Sequence, residues 1–170
     1  AGLHIYIREG SGAKNLETLL HTLLEAEVSL DQCAFCTDDK HVEEIRKEGH
    51  ISTCIRKAIA MGVPVARAYK MGSYQTAQFY GLKNYCAIGA GYRADIVFLD
   101  DLTGVHPTDV MKSGRILTKA DYVKDYSVPV PEELLHTVHT EGVTREKLAL
   151  ACDGKTDVIR MNAHQIVTTH

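Results

Sequence analysis

Residues 32–41 read QCAFCTDDKH, and the fold class turns on how they are read. "QCAFCT" is a short, nearly continuous apolar run. Such runs suit a strand covered on both faces, as strands of a parallel sheet are. The run ends in two adjacent carboxylates, Asp38 and Asp39, and then passes into KHVEEIRKEGH, which has helical spacing and stops at Gly49. Helix capping explains one aspartate, with Asp39 the nearer to the helix it precedes. It does not explain a pair.

Toward the N-terminus, LHIYIRE (3–9) alternates and carries β-branched and aromatic residues, which predicts a strand. GSG (10–12) breaks it. AKNLETLLHTLLEAE (13–27) then places Leu16, Leu19, Leu20, Leu23 and Leu24 on one helical face. Toward the C-terminus, ISTCIRKAIAMG (51–62) predicts a helix closed by Gly62, and two shorter helices follow, broken at Gly72 and Gly81. Strand, helix, strand, helix is the grammar of parallel β/α units, so the class is α/β. Two parallel strands cannot bury themselves, so the pattern reads as part of a larger barrel or sheet. Beyond residue 82 the grammar changes. Ala94–Leu99 predicts a strand, and VMKSGRILT (110–118) a hairpin turning at Ser113-Gly114. After the Pro-rich VPVPEE (128–133), LLHTVHTEG predicts a helix, and TDVIRMNAHQIVTTH alternates like a strand up to His170. The expected division is 1–82 for the β/α units, 83–127 for a small β module and 128–170 for the start of a further α+β domain.

The 170 residues carry a net charge of −3, with 24% charged and 45% hydrophobic residues. That balance gives no argument for nucleic acid or membrane as a partner. No apolar run approaches the ~20 residues of a membrane span, and the first residues lack the pattern of a signal peptide. Five scattered cysteines point to reduced thiols in a cytoplasm. Cys33 and Cys36 form a CxxC without the second pair a zinc ribbon needs and without the helix start that a redox motif needs, so both read as core residues. AIGAGYRAD (87–95) fits neither of the Gly-rich phosphate-binding patterns, and its glycines read as turns.

Catalytic groups of β/α folds sit at the C-terminal ends of strands. REGS (8–11) and TDDKH (37–41) occupy those positions. A carboxylate there can bind a divalent metal and take a proton from bound water. His4 reads as a packing residue, His50 as a helix-terminal one, and His136 and His139 as a surface stripe on a helix.

IREGSGAKNLETLL, CTDDKHVEEIRKEGHI, IRKAIAMGV and YGLKNYCAIGAGYRADIVFLDDL together resemble the C-terminal half of adenine deaminases of the amidohydrolase superfamily. The closing VTREKLAL and DVIRMNAHQIVTTH are similar to the start of the extra C-terminal domain of those enzymes. The resemblance implies a metal-dependent (β/α)8 barrel with a small β-sandwich, hydrolysing adenine to hypoxanthine and ammonia with divalent manganese or iron. It implies that Asp38 is the metal-holding, proton-shuttling aspartate, and that Arg8, Glu9, Ser11 and His41 lie near the substrate. The superfamily's His-x-His pair is absent from this sequence, and its other metal-binding strands precede the segment matched here. The expectation is therefore a fragment that is inactive alone and completed by the missing N-terminal part of the enzyme, or a homo-oligomer covering the open strand edges. The alternative is a non-catalytic domain that docks a partner chain.

Overall fold

The computed structural model describes residues 2–122 and 128–169. Two compact units are present, one of residues up to Leu117 together with Met161–Thr169, the other of Thr118–Arg160.

In the first unit, β1 (Ile5–Arg8) and β2 (Cys33–Cys36) pair in parallel, with Ile5 opposite Cys33 and Arg8 opposite Cys36. A parallel pair needs a crossover. Here it is α1 (Leu16–Glu25), whose Leu16 and Leu20 are fully buried, while Leu19, Leu23 and Leu24 pack at the margin of the same core. Alternation sorts the strand residues by face. Ile7, Glu9, Phe35 and Thr37 are all buried, whereas Tyr6, Arg8 and Cys36, on the other parity, are half-buried.

Four helices follow β2: α2 (Val42–Glu48), α3 (Ile51–Ala60), α4 (Val65–Gly72) and α5 (Tyr74–Phe79). The buried positions of α3, Cys54, Ile55 and Ala58, meet Ala68 and Met71 of α4 in the core shared with the strands. No helix among the described residues is long and apolar enough to cross a membrane.

The β module is an antiparallel meander of β3 (Ile96–Leu99), β4 (Pro107–Lys112) and β5 (Arg115–Ile116). Its turn is the expected Ser113-Gly114, both with positive φ, as a two-residue hairpin requires. The loop after β3 is tied to the helices, since Tyr69 Oη donates to the Leu102 carbonyl at 2.8 Å.

The C-terminal expectations fare differently. The helix expected to carry His136 and His139 is absent: regular structure stops after the single 3-10 turn Glu132–Leu134. Every described side chain from 128 to 160 is exposed. A short segment containing the β-branched Thr137, Val138 and Thr140, with no packed face, does not hold a helix. The expected final strand is reduced to the two-residue segments β6 (Arg160–Met161) and β7 (Thr168–Thr169). Residues 123–127, where the expected module boundary falls, and His170 lie outside the described residues.

Gly72 of α4 lets α3 and α4 pack closely. A Cβ there would stand 2.7 Å from Ile55 Cδ1 of α3. Overpacking costs about 1–3 kcal/mol, and the helix propensity of Ala returns up to about 1 kcal/mol. Gly72→Ala is therefore expected to destabilise the chain by about 1–2 kcal/mol in urea unfolding. In an Ile55→Ala background, which lacks both Cδ1 and the Cγ1 that would lie 2.9 Å away, the same substitution is expected to cost less than in wild type.

Candidate active site at the ends of two parallel strands

The loops leaving β1 and β2 meet, and they are joined by side chains from each. Asp39 reaches across to the first loop, where its Oδ2 accepts from the Gly12 amide at 2.7 Å. That hydrogen bond, with smaller contributions from the Ala13 and Ser11 amides, holds the Asp39 carboxyl below the usual range. The sequence GSG makes room for it. A Cβ on Gly10 would lie 1.6 Å from Asp39 Oδ1, so any other residue at position 10 would expel the carboxylate. Ser11 completes the seam. Its Oγ donates to Glu44 Oε2 at 2.6 Å and accepts from the His41 amide at 2.8 Å. The Ser11 bond lowers the Glu44 carboxyl as well.

Neither aspartate caps the following helix. The N-cap of α2 is His41, whose own side chain makes no capping hydrogen bond. The capping reading of Asp39 is corrected accordingly: it binds backbone amides, but those of a loop 27 residues earlier.

Asp38 is different from its neighbour. It adopts left-handed φ of +50°, which non-glycine residues rarely take. Its side chain is 52% exposed and holds one partner, Arg8, whose Nη1 donates to Oδ2 at 2.5 Å. Arg8 itself is fixed by Asn15, whose Oδ1 accepts from the Arg8 amide at 2.8 Å. The structure thus brings Arg8 and Asp38 into contact, while Ser11 and the His41 backbone bond to each other and to Glu44 in the adjoining loops. Glu9 faces elsewhere. It is on the buried parity of β1, with 2% of its surface exposed, and accepts from Lys57 Nζ of α3 at 2.8 Å. Lys57 also pairs with Glu17 of α1 at 2.9 Å. Burial alone would lower the Lys57 ammonium, but the bonds to Glu9 and Glu17 outweigh it and push it up to about 12.

Among the described residues, no group of three or more His, Cys, Asp or Glu side chains could hold a metal ion. The donor set at the strand ends is one half-exposed carboxylate paired with a guanidinium, too few ligands for a metal site among the described residues. Cys33 is buried and Cys36 half-buried, both are free thiols within β2, and burial raises both. Cys33 is a core residue, as its place in a strand predicts, whereas Cys36 lies on the other face, half-buried and outside the core cluster.

The amidohydrolase family model matches residues 4–117. The chain belongs to the amidohydrolase family. Over 171 aligned residues this amidohydrolase chain is 40% identical to an adenine deaminase of Desulfitobacterium hafniense (strain Y51), covering 99% of the chain and 30% of that protein. It is 38% identical to an adenine deaminase of Clostridium acetobutylicum over 92% of the chain and 27% of the relative, and 36% identical to one of Bdellovibrio bacteriovorus over 99% and 29%. The chain therefore spans about 30% of the length of the curated relatives it matches.

Several residues of the strand-end cluster carry no signal in sequence. Lys57 lies 48 residues from Glu9. Thr37, directly before Asp38, shares a 2.7 Å hydrogen bond with His50 Nε2 at the start of α3. Lys40 has its side chain 1% exposed between Glu44 and Glu48. The run KHVEEIRKEGH reads as a solvated helix face, and only the fold shows that its first lysine points inward.

Two expectations follow from this geometry. A depressed carboxyl pKa contributes stability above its unfolded value, about 3.9 for Asp, and loses it as pH falls through the folded value. Urea unfolding of the wild-type chain should therefore weaken between about pH 5 and pH 2, and Asp39→Asn should flatten that acid limb while lowering stability at neutral pH. Lys57→Met leaves the Glu9 carboxylate buried without its partner. It should cost roughly 2–4 kcal/mol, below the full cost of a buried pair because Lys57 keeps contact with water, and Glu9→Gln in the same chain should restore most of the loss.

Proposed function

We propose that this chain is a segment of an adenine deaminase, and that it contributes the carboxylate and the substrate-side loop of an active site completed by other parts of the enzyme. The observation that carries the proposal is Asp38. It stands exposed at the C-terminal end of a parallel strand, in a strained conformation, within a chain whose relatives are named adenine deaminases. In this reading residues 1–82 are the last β/α units of a (β/α)8 barrel, 83–127 a small β-sandwich, and 128–170 the start of a C-terminal domain, in a cytoplasmic enzyme of purine catabolism.

The reaction breaks the bond between the purine carbon and its exocyclic amine, with water supplying the oxygen. A proton must leave the attacking water, and another must reach the departing amine. We assign both transfers to Asp38, whose side chain is half exposed and bonded to Arg8 through Oδ2. Arg8 orients the carboxylate and offers further N–H donors to purine ring nitrogens. We place Ser11 and His41 on the substrate side of the same loops, and leave Glu9, buried against Lys57, outside the substrate contacts. A divalent ion, manganese or iron by the resemblance, supplies Lewis acidity when bound. Asp38 would hold it together with ligands from outside this stretch, since the described residues supply no others. The exposed apolar side chains Leu3, Ile5 and Tyr80 beside β1 support covering by the rest of the enzyme or by a second copy.

The test measures conversion of adenine to hypoxanthine by absorbance, with manganese present. The 170-residue chain alone is expected to be inactive. Joined to the remainder that its relatives carry, it is expected to turn over, and Asp38→Asn in that longer enzyme to lower kcat by about 10²–10⁴. Turnover by the isolated chain, or an Asp38→Asn enzyme of normal kcat, overturns the assignment.

A further inference from the structure

We propose that a cleft at the N-terminal ends of β1 and β2 binds a small oxyanion that carries its own O–H, of which hydrogenphosphate is the simplest. The cleft lies at the opposite end of these strands from Asp38, and the inference does not depend on the deaminase reading.

The cleft has a volume of about 280 Å³. Its walls come from three places: His4 and Asp31 just before the two strands, Arg67 and Lys70 on α4, and Gln75 and Phe79 on α5. One water takes up about 30 Å³ of liquid, so the space admits more than a single bridging water. The rings of His4 and Phe79 close one side, stacked with centroids 3.8 Å apart and planes 8° from parallel.

Gln75 carries the chemical argument. It is 6% exposed, and its Nε2 donates to the Leu30 and Asp31 carbonyls, both at 2.8 Å. Those two bonds use both amide hydrogens and fix which end of the amide is which. They tie α5 to the segment entering β2, which is a structural role and a sufficient one for Nε2. Oε1 is left over. It is buried and accepts from no group among the described residues. A buried acceptor without a donor is costly, and an arriving O–H removes that penalty.

Two cations line the same cleft, one turn apart on α4. Arg67 Nη1 pairs with Asp31 Oδ1, while Asp31 Oδ2 accepts from Ser29 Oγ at 2.8 Å. The aspartate is thus engaged through both oxygens, and it holds the guanidinium in place with further N–H donors unused. Lys70 is exposed, and its ammonium meets no carboxylate among the described residues. The lining sets two cations against one carboxylate that is already paired. An anion with acceptor oxygens alone answers the cations and leaves Gln75 Oε1 without a donor. A water answers Oε1 and leaves the positive charge. Hydrogenphosphate does both, accepting from Lys70 and Arg67 through its charged oxygens and donating its O–H to Oε1.

The experiment is nuclear magnetic resonance on the 170-residue chain, titrated at pH 7 and constant ionic strength with sodium phosphate and, separately, with sodium sulfate. Sulfate matches hydrogenphosphate in shape and charge but has no O–H at that pH. Phosphate is expected to shift the Gln75 side-chain amide and the backbone amides of Lys70 and Phe79 saturably, with residues 37–41 unmoved. Sulfate is expected to bind at least about tenfold more weakly. Lys70→Met, a change at an exposed side chain, is expected to weaken phosphate binding about tenfold. Equal affinity for the two anions overturns the proposal. So does saturation at Arg8 and Asp38 instead, an unchanged affinity in Lys70→Met, or the non-saturating drift of an adventitious ion only.

Discussion

The carboxylate of Asp39, seated on backbone amides of the loop at 10–13, is the contact on which the rest of this site depends. Two parallel strands form few hydrogen bonds, and nothing in a β1–β2 ladder of four residue pairs fixes how the two departing loops approach each other. Asp39 does that directly. It requires a loop with no Cβ at position 10 and amides turned toward one point, and GSG supplies both. Once the loops are joined, Ser11 falls within reach of Glu44 and of the His41 amide.

The charges at the strand ends divide by face. Glu9 points into the helix layer, where Lys57 and Glu17 complete an ion triad linking β1, α3 and α1. Arg8 and Asp38 lie on the other parity, where no helix residue pairs with them among the described residues. The side that packs has its charges neutralised and enclosed. The side left open keeps a guanidinium and a carboxylate with unshared atoms. That separation follows from strand alternation alone, and it turns consecutive residues in REGS into groups with different roles.

Most of the fold was legible because it is encoded locally. Leucine spacing predicts α1, alternation predicts β1, the apolar run predicts β2, and Ser113-Gly114 predicts its hairpin turn. The site was legible at Arg8 and Asp38, which stand at strand ends. It was not legible where the partner is distant in sequence. The capping rule asks what Asp39 offers the next turn of chain, but its partner is Gly12. Nothing in the sequence marks Lys57 for Glu9 or His50 for Thr37, because those pairings follow from how α3 lies against the strands. The segment near His136 failed for the opposite reason. Its local pattern allows a helix, and no packed surface is there to stabilise one.

Adjacent aspartates under one backbone constraint meet opposite demands. A residue whose carboxylate has several amide donors is satisfied and has no further chemistry to offer, which describes Asp39. A residue held at positive φ with a single ionic partner and half its side chain in water has been given a costly conformation without a matching structural return. Asp38 instead keeps half its side chain in water and pairs with Arg8 across the ends of the two strands. The chain spans about 30% of the length of its relatives, and its described residues hold no cluster of three or more side chains able to bind a metal ion.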